Sequence, residues 1–92
     1  MSAVQSITVL GSTGSIGVSS LDVVAQHPNR YKIFALTANQ RIDVLLAQCK
    51  QFVPQFAVVA DVNAAEKFAQ MLQQAGLATE VLSGVDGLEF VA

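Results

Sequence analysis

Short β-branched apolar runs alternate along this chain with segments whose apolar residues recur every three or four positions. "SITVL" (Ser6 to Leu10) predicts a buried strand ended by Gly11. From Ser15 to about His27, the residues Ile16, Ser20, Val23, Val24 and His27 share one face at helical spacing, and Pro28 with Asn29 stops that helix. "YKIFALTA" (Tyr31 to Ala38) predicts a second strand. Ile42, Leu45, Leu46, Cys49 and Phe52 step by three and four, giving a second helix that ends before Pro54. "FAVVA" (Phe56 to Ala60) is a third strand. Asn63 with Glu66 three places later predicts a capping box opening a helix through Phe68, Met71 and Leu72 to Gly76. "TEVLSG" (Thr79 to Gly84) predicts a fourth strand, and "VDGLEFVA" (Val85 to Ala92) a helix cut short.

Strict alternation of strand and helix means βαβ units and a parallel sheet. The expected fold is α/β: a Rossmann-like, doubly wound parallel sheet with helices on both faces, truncated. Composition sharpens this picture. Of 92 residues, 52% are apolar and 13% charged, a greasy balance for a free-standing domain of this size. Residues 1–92 therefore read as one incomplete domain, with further chain expected to cover a face or an edge of the sheet. The absence of a terminal cap or polar tail agrees with a truncation.

The stretch that promises chemistry is "GSTGSIG", residues 11 to 17, directly behind the first strand. A strand that turns straight into a helix points the helix's first free N–H groups, and the positive end of its dipole, at the space above the sheet. A phosphate can use those donors only if no Cβ blocks its approach. Gly11 permits the tight turn, Gly14 lets a diphosphate come near, and Gly17 lets the helix lie close on the strand. Thr13 and Ser15 offer hydroxyls to phosphate oxygens, or cap the helix. The spacing G-x-x-G-x-x-G differs from the G-x-G-x-x-G fingerprint, but the strand before it and the helix after it supply the required context.

Dinucleotide-binding sheets that prefer NAD place an acid at the tip of the second strand, where it accepts from the ribose 2′-hydroxyl. Here the tip reads "TANQRI", without a carboxylate. Asn39 and Gln40 offer neutral hydrogen bonds and Arg41 a cation, so NADP(H) is expected over NAD(H). His27 is read as a helix cap and Cys49 as a small core residue. Asp61 is read first as a cap acting with Asn63, and second as a neighbour of an adenine edge. Asp22 is assigned a structural or surface role, and no role is assigned to Asp86 or Glu89.

Net charge is −2, with Lys and Arg scattered, which argues against nucleic acid or an anionic membrane as partner. No apolar run approaches the roughly 20 residues of a membrane helix. The start lacks the basic segment and cleavage site of a signal peptide. One cysteine excludes an internal disulfide and suits a reducing compartment, so the expected location is cytoplasmic.

"ITVLGSTGSIGVSSLDVVAQHP", followed by "FALTANQRIDVLLAQCKQFVPQFAVVAD" and "TEVLSGVDGL", resembles the amino-terminal domain of the 1-deoxy-D-xylulose 5-phosphate reductoisomerases. The likeness runs along essentially the whole chain. It implies an NADPH-dependent enzyme that rearranges 1-deoxy-D-xylulose 5-phosphate and reduces the product to 2-C-methyl-D-erythritol 4-phosphate, in the non-mevalonate route to isoprenoids. It also implies a homodimer that needs Mg²⁺ or Mn²⁺. Family contacts to the cofactor fall on Thr13, Gly14, Ser15 and Ile16. The catalytic, metal and substrate-phosphate residues of the family lie outside these 92. After the second strand the sequence departs from the family pattern of Gly, then Lys or a small polar residue, then Asn. Asn39, Gln40 and Arg41 stand there instead, with Arg41 in the part of a displaced Lys. Two other readings stay open on the residues alone: an NADP-binding domain of the semialdehyde dehydrogenase or dihydrodipicolinate reductase type, and a non-catalytic nucleotide-binding module.

Overall fold

The computed structural model describes residues 4–39 and 41–91. Eight elements follow in strict alternation: β1 (Gln5–Val9), α1 (Ser15–Gln26), β2 (Tyr31–Ala38), α2 (Ile42–Phe52), β3 (Phe56–Val59), α3 (Val62–Gln74), β4 (Glu80–Ser83) and α4 (Gly84–Val91). The four strands form one parallel sheet in the order β1-β2-β3-β4. Each right-handed crossover steps the chain one strand further in the same direction, so α1, α2 and α3 share one face. Their apolar stripes meet the sheet in the main core, where Leu21, Leu45, Cys49, Phe68 and Leu72 pack with Val9, Leu36 and Val59.

α4 packs on the opposite face, over Ala35 and Val58. The helix expected from Val85 onward is a packed element, with Val91 buried; Ala92 lies outside the described residues. Thr8 Oγ1 of β1 donates to the Val91 carbonyl oxygen at 2.9 Å, so α4 carries the chain from β4 back to β1 across the second face. That reversal supplies the helices on both faces that the alternation predicts. β1 and β2 slip register between Ile7 and Thr8, which pair with Ile33 and Ala35. Phe34 is the extra residue. It lets Ile33 and Leu36 both reach the main core, three positions apart, where strict alternation would put them on opposite faces.

The rotation of α1 differs from the expected one. Its buried residues are Gly17, Leu21 and Val24. Ile16 is 85% exposed and Val23 52%, and Ser20 and His27 also face outward. The cause is steric. A Cβ on Gly17 would collide with the Gly11 carbonyl oxygen and lie 2.6 Å from Ser12 Cα, so the face that turns inward is the one bearing the glycine. His27 does end the helix, its backbone N–H donating to the Val24 carbonyl. Of the two residues expected to cap α3, Asp61 takes the N-cap position and Asn63 does not; Asp61 Oδ1 accepts from the N–H groups of Asn63 at 2.9 Å and Ala64 at 3.2 Å. Asn63 lies inside the first turn, exposed. α2 ends on Val53 in the left-handed region (φ 46°), its N–H donating to the Cys49 carbonyl before Pro54 stops the helix.

Two outcomes follow from this packing. Gly17→Ala should lower the stability of the protein by about 1–3 kcal/mol in denaturant unfolding, because two backbones must separate to admit one methyl group. An unchanged midpoint would show that α1 does not lean on the loop. Cys49 is wholly buried, and desolvation pushes its thiol up to about 12. The group stays protonated at neutral pH, so a disulfide-exchange reagent such as Ellman's should leave the native protein unlabelled and react fully once denaturant has unfolded it.

Candidate functional site

β1 ends at Val9, and the chain must turn within a few residues to start α1 at Ser15. Gly11 makes the turn at φ +63°, a conformation that a Cβ disfavours. The Gly14 N–H donates to the Gly11 carbonyl at 3.0 Å, closing the loop on itself. The loop is then tied to the end of β2. Thr37 Oγ1 accepts from the Gly11 N–H at 2.8 Å, and the Thr37 carbonyl accepts from the Ser12 N–H, also at 2.8 Å. A third tie comes from α2. Ser12 Oγ donates to Gln48 Oε1 at 2.7 Å, and Gln48 Nε2 donates to the Ser12 carbonyl at 2.7 Å. Ser12 is fully buried and Gln48 nearly so.

The start of α1 leaves a defined set of backbone donors unused within the helix. The first intrahelical bond of α1 runs from the Val18 N–H to the Gly14 carbonyl at 2.9 Å. The N–H groups of Ser15, Ile16 and Gly17 precede it and so carry no intrahelical acceptor. The helix starts without a side-chain cap: Gly14 occupies the N-cap position, so the capping role offered for Thr13 or Ser15 is not realised there.

Beside this helix start lies a cleft of ≈ 310 Å³, lined by Gly11, Thr13, Gly14, Ala38, Asn39 and Arg41. It sits at the carboxyl ends of β1 and β2, where open α/β sheets bind their ligands. Five of the nine residues expected at the site line it. Ser15 and Ile16 stand exposed at the head of α1, and Gly17 is buried beneath the loop. Gln40 lies outside the described residues. Arg41 is exposed at the N-cap position of α2, its carbonyl accepting from the Leu45 N–H at 3.1 Å and its side chain making no capping bond.

A larger groove of ≈ 430 Å³ opens at the other end of the strands, between Val24, Pro28, Tyr31, Ile33 and Phe52. Its walls are mainly apolar side chains at the amino-terminal ends of β1 and β2, away from the glycine loop. The smaller cleft is therefore the better candidate. Among the described residues no three His, Cys, Asp or Glu side chains come together as a metal site. Ser12, Thr37 and Gln48 were not anticipated as site residues. For Gln48 one signal existed: a polar residue on the stripe of Leu45, Cys49 and Phe52.

The family model for 1-deoxy-D-xylulose 5-phosphate reductoisomerase matches residues 7–92. The chain is 56% identical over its full length to the enzyme of that name from Nitrosospira multiformis, and 58% identical to the one from Pseudomonas fluorescens. It spans about a quarter of the length of these relatives, 23% of each. Among solved structures it is similar to DOX-P reductoisomerase in complex with NADPH, fosmidomycin and magnesium (TM-score 0.92, 43% identity, 96% of this chain and 21% of that one). It is also similar to the Zymomonas mobilis reductoisomerase in complex with NADPH (TM-score 0.89, 36% identity, 97% of this chain and 23% of that one). Of the readings left open by the residues, these matches support the reductoisomerase and not the alternatives. The chain belongs to the 1-deoxy-D-xylulose 5-phosphate reductoisomerase family.

Proposed function

We propose that the cleft holds the diphosphate and the 2′-phosphate end of NADPH, and that residues 1–92 form the amino-terminal cofactor-binding segment of a longer reductoisomerase. Gly14 is the observation that carries the reading. Its backbone angles (φ −83°, ψ 169°) suit any residue, and a Cβ there would meet only the Gly11 carbonyl oxygen, at 3.4 Å, an ordinary contact. Folding does not require a glycine at this position. A diphosphate resting on the N–H groups of Ser15, Ile16 and Gly17 does, since a side chain would stand in its path.

The remaining residues divide by chemistry. Thr13 offers a hydroxyl on the cleft wall, Asn39 neutral hydrogen bonds to the ribose, and Arg41 a cation for the 2′-phosphate. Gln40 has a place in this set by sequence alone. Bound NADPH supplies the hydride for reduction of the rearranged 1-deoxy-D-xylulose 5-phosphate. The part played by this segment is to hold and orient that cofactor. The Mg²⁺ or Mn²⁺ ligands, the substrate-phosphate contacts and the surface of a cytoplasmic homodimer belong, in this reading, to the three quarters of the relatives' length that the chain does not span. The NADPH in both solved relatives supports the choice of cofactor.

Gly14→Val in the full-length protein should abolish NADPH binding in a fluorescence titration while leaving the melting temperature near its original value. Unchanged affinity would place the nucleotide elsewhere. Arg41→Ala should weaken NADPH about tenfold or more, as expected for losing one charge-assisted bond, and leave NADH affinity unchanged. Equal losses for the two coenzymes would remove Arg41 from the 2′-phosphate.

A further inference from the structure

Gln48 is an amide set into the apolar stripe of α2, between Leu45 and Cys49, both of which are fully buried. Packing alone would be served there by an aliphatic side chain. The amide makes two bonds, and both go to one residue: Oε1 accepts from Ser12 Oγ and Nε2 donates to the Ser12 carbonyl, each at 2.7 Å. Ser12 stands between Gly11 and Thr13, yet its own side chain points away from the cleft, into the protein. Its hydroxyl proton goes to Gln48 at 2.7 Å in preference to the Thr37 carbonyl at 3.4 Å. The two peptide groups flanking Ser12 are therefore held from different elements, the Gly11–Ser12 peptide through its N–H by the Thr37 carbonyl of β2 and the Ser12–Thr13 peptide through its carbonyl by Gln48 of α2.

We infer that Gln48 is a positioning residue for the nucleotide: through Ser12 it fixes the plane and height of the Gly11–Gly14 backbone, and so the aim of the donors that follow it. This rests on the assignment of the cleft to NADPH. The physical ground is that a loop containing two glycines is otherwise free to rotate its peptides. Donors must be aimed before a diphosphate arrives, or binding must bear the cost of ordering them. A polar pair this deeply buried, with both partners satisfied, admits few alternative arrangements.

The deciding variant is Gln48→Met in the full-length protein, which keeps chain length and bulk and removes both bonds. Two neutral hydrogen bonds are at stake, so the dissociation constants of NADPH and NADH should both rise about tenfold, by the same factor, at a temperature where circular dichroism shows the protein folded. Backbone amides of residues 11–14 should exchange with deuterium faster in the apo-protein. A role confined to stability predicts the contrary: a lower melting temperature with coenzyme affinity and loop exchange as in the wild type, and that result overturns the inference. Should Gln48→Met fail to fold, Ser12→Ala is read in the same way, with about a threefold effect expected from the one bond it removes. Gly14→Val separates the two levels. Loss of binding in Gly14→Val beside wild-type affinity in Gln48→Met sinks only the role of Gln48. Wild-type affinity in both removes the nucleotide from the cleft, and Gln48's role with it.

Discussion

Two backbones touch without a side chain between them where Gly17 of α1 lies on the Gly11–Ser12 peptide, and the rest of the structure is arranged around that approach. It fixes the roll of α1, because the glycine must face the loop, and Leu21 and Val24 then follow it inward at steps of four and three. Ile16, larger and more apolar, is turned to the outside by the same rotation. The approach also sets the first turn of α1 beside the loop, with Ser15 and Ile16 exposed at its head next to the cleft lined by Gly11, Thr13 and Gly14.

Closeness has a consequence for polarity. With α1 pressed on it, Ser12 loses all access to water, hydroxyl and peptide together. A buried polar group without a partner costs about 1–3 kcal/mol. Thr37 and Gln48 remove that penalty, and among the described residues no buried side-chain nitrogen or oxygen lacks a partner. The loop is thereby joined to β2 and α2 as well as to the two elements it connects. A bend rich in glycine ends up as one of the more constrained parts of the backbone.

Much of this was legible in the residues. The alternation of β-branched runs with steps of three and four located all eight elements, since local period separates strand from helix. Glycine spacing behind a strand located the loop, because few side chains tolerate that turn. What stayed hidden depends on contacts between distant parts of the chain. The roll of α1 could not be taken from apolar count, since the smallest residue decided it. The pairing of Ser12 with Gln48 joins positions far apart in the chain, and no periodicity reports such a bond. For the cap of α3 the sequence offered Asp61 and Asn63 together, and the structure uses Asp61 alone at the N-cap. Asp61 and Asn63 are both good capping types, and only the backbone path out of β3 decides which carboxylate or amide oxygen reaches the free N–H groups.

The three glycines of the loop look alike in the sequence and differ in what the fold asks of them. Gly11 answers to its own torsion, at φ +63°, and Gly17 to the backbone packed against it. Either requirement is met whether or not a ligand exists. Gly14 has an ordinary torsion and room for a Cβ, so neither requirement applies. Arg41 poses the same question in electrostatic form. A cation at the N-cap of a helix opposes the positive end of the dipole, typically by about 0.3–1 kcal/mol, and its side chain gives the helix no capping bond in return. Both residues line one cleft. A missing side chain that folding does not need and a charge that folding does not favour, placed on the same surface, are complementary to one kind of occupant. The occupant proposed for the cleft is of that kind, an anion that approaches the main chain closely at one end and carries a further negative charge at the other.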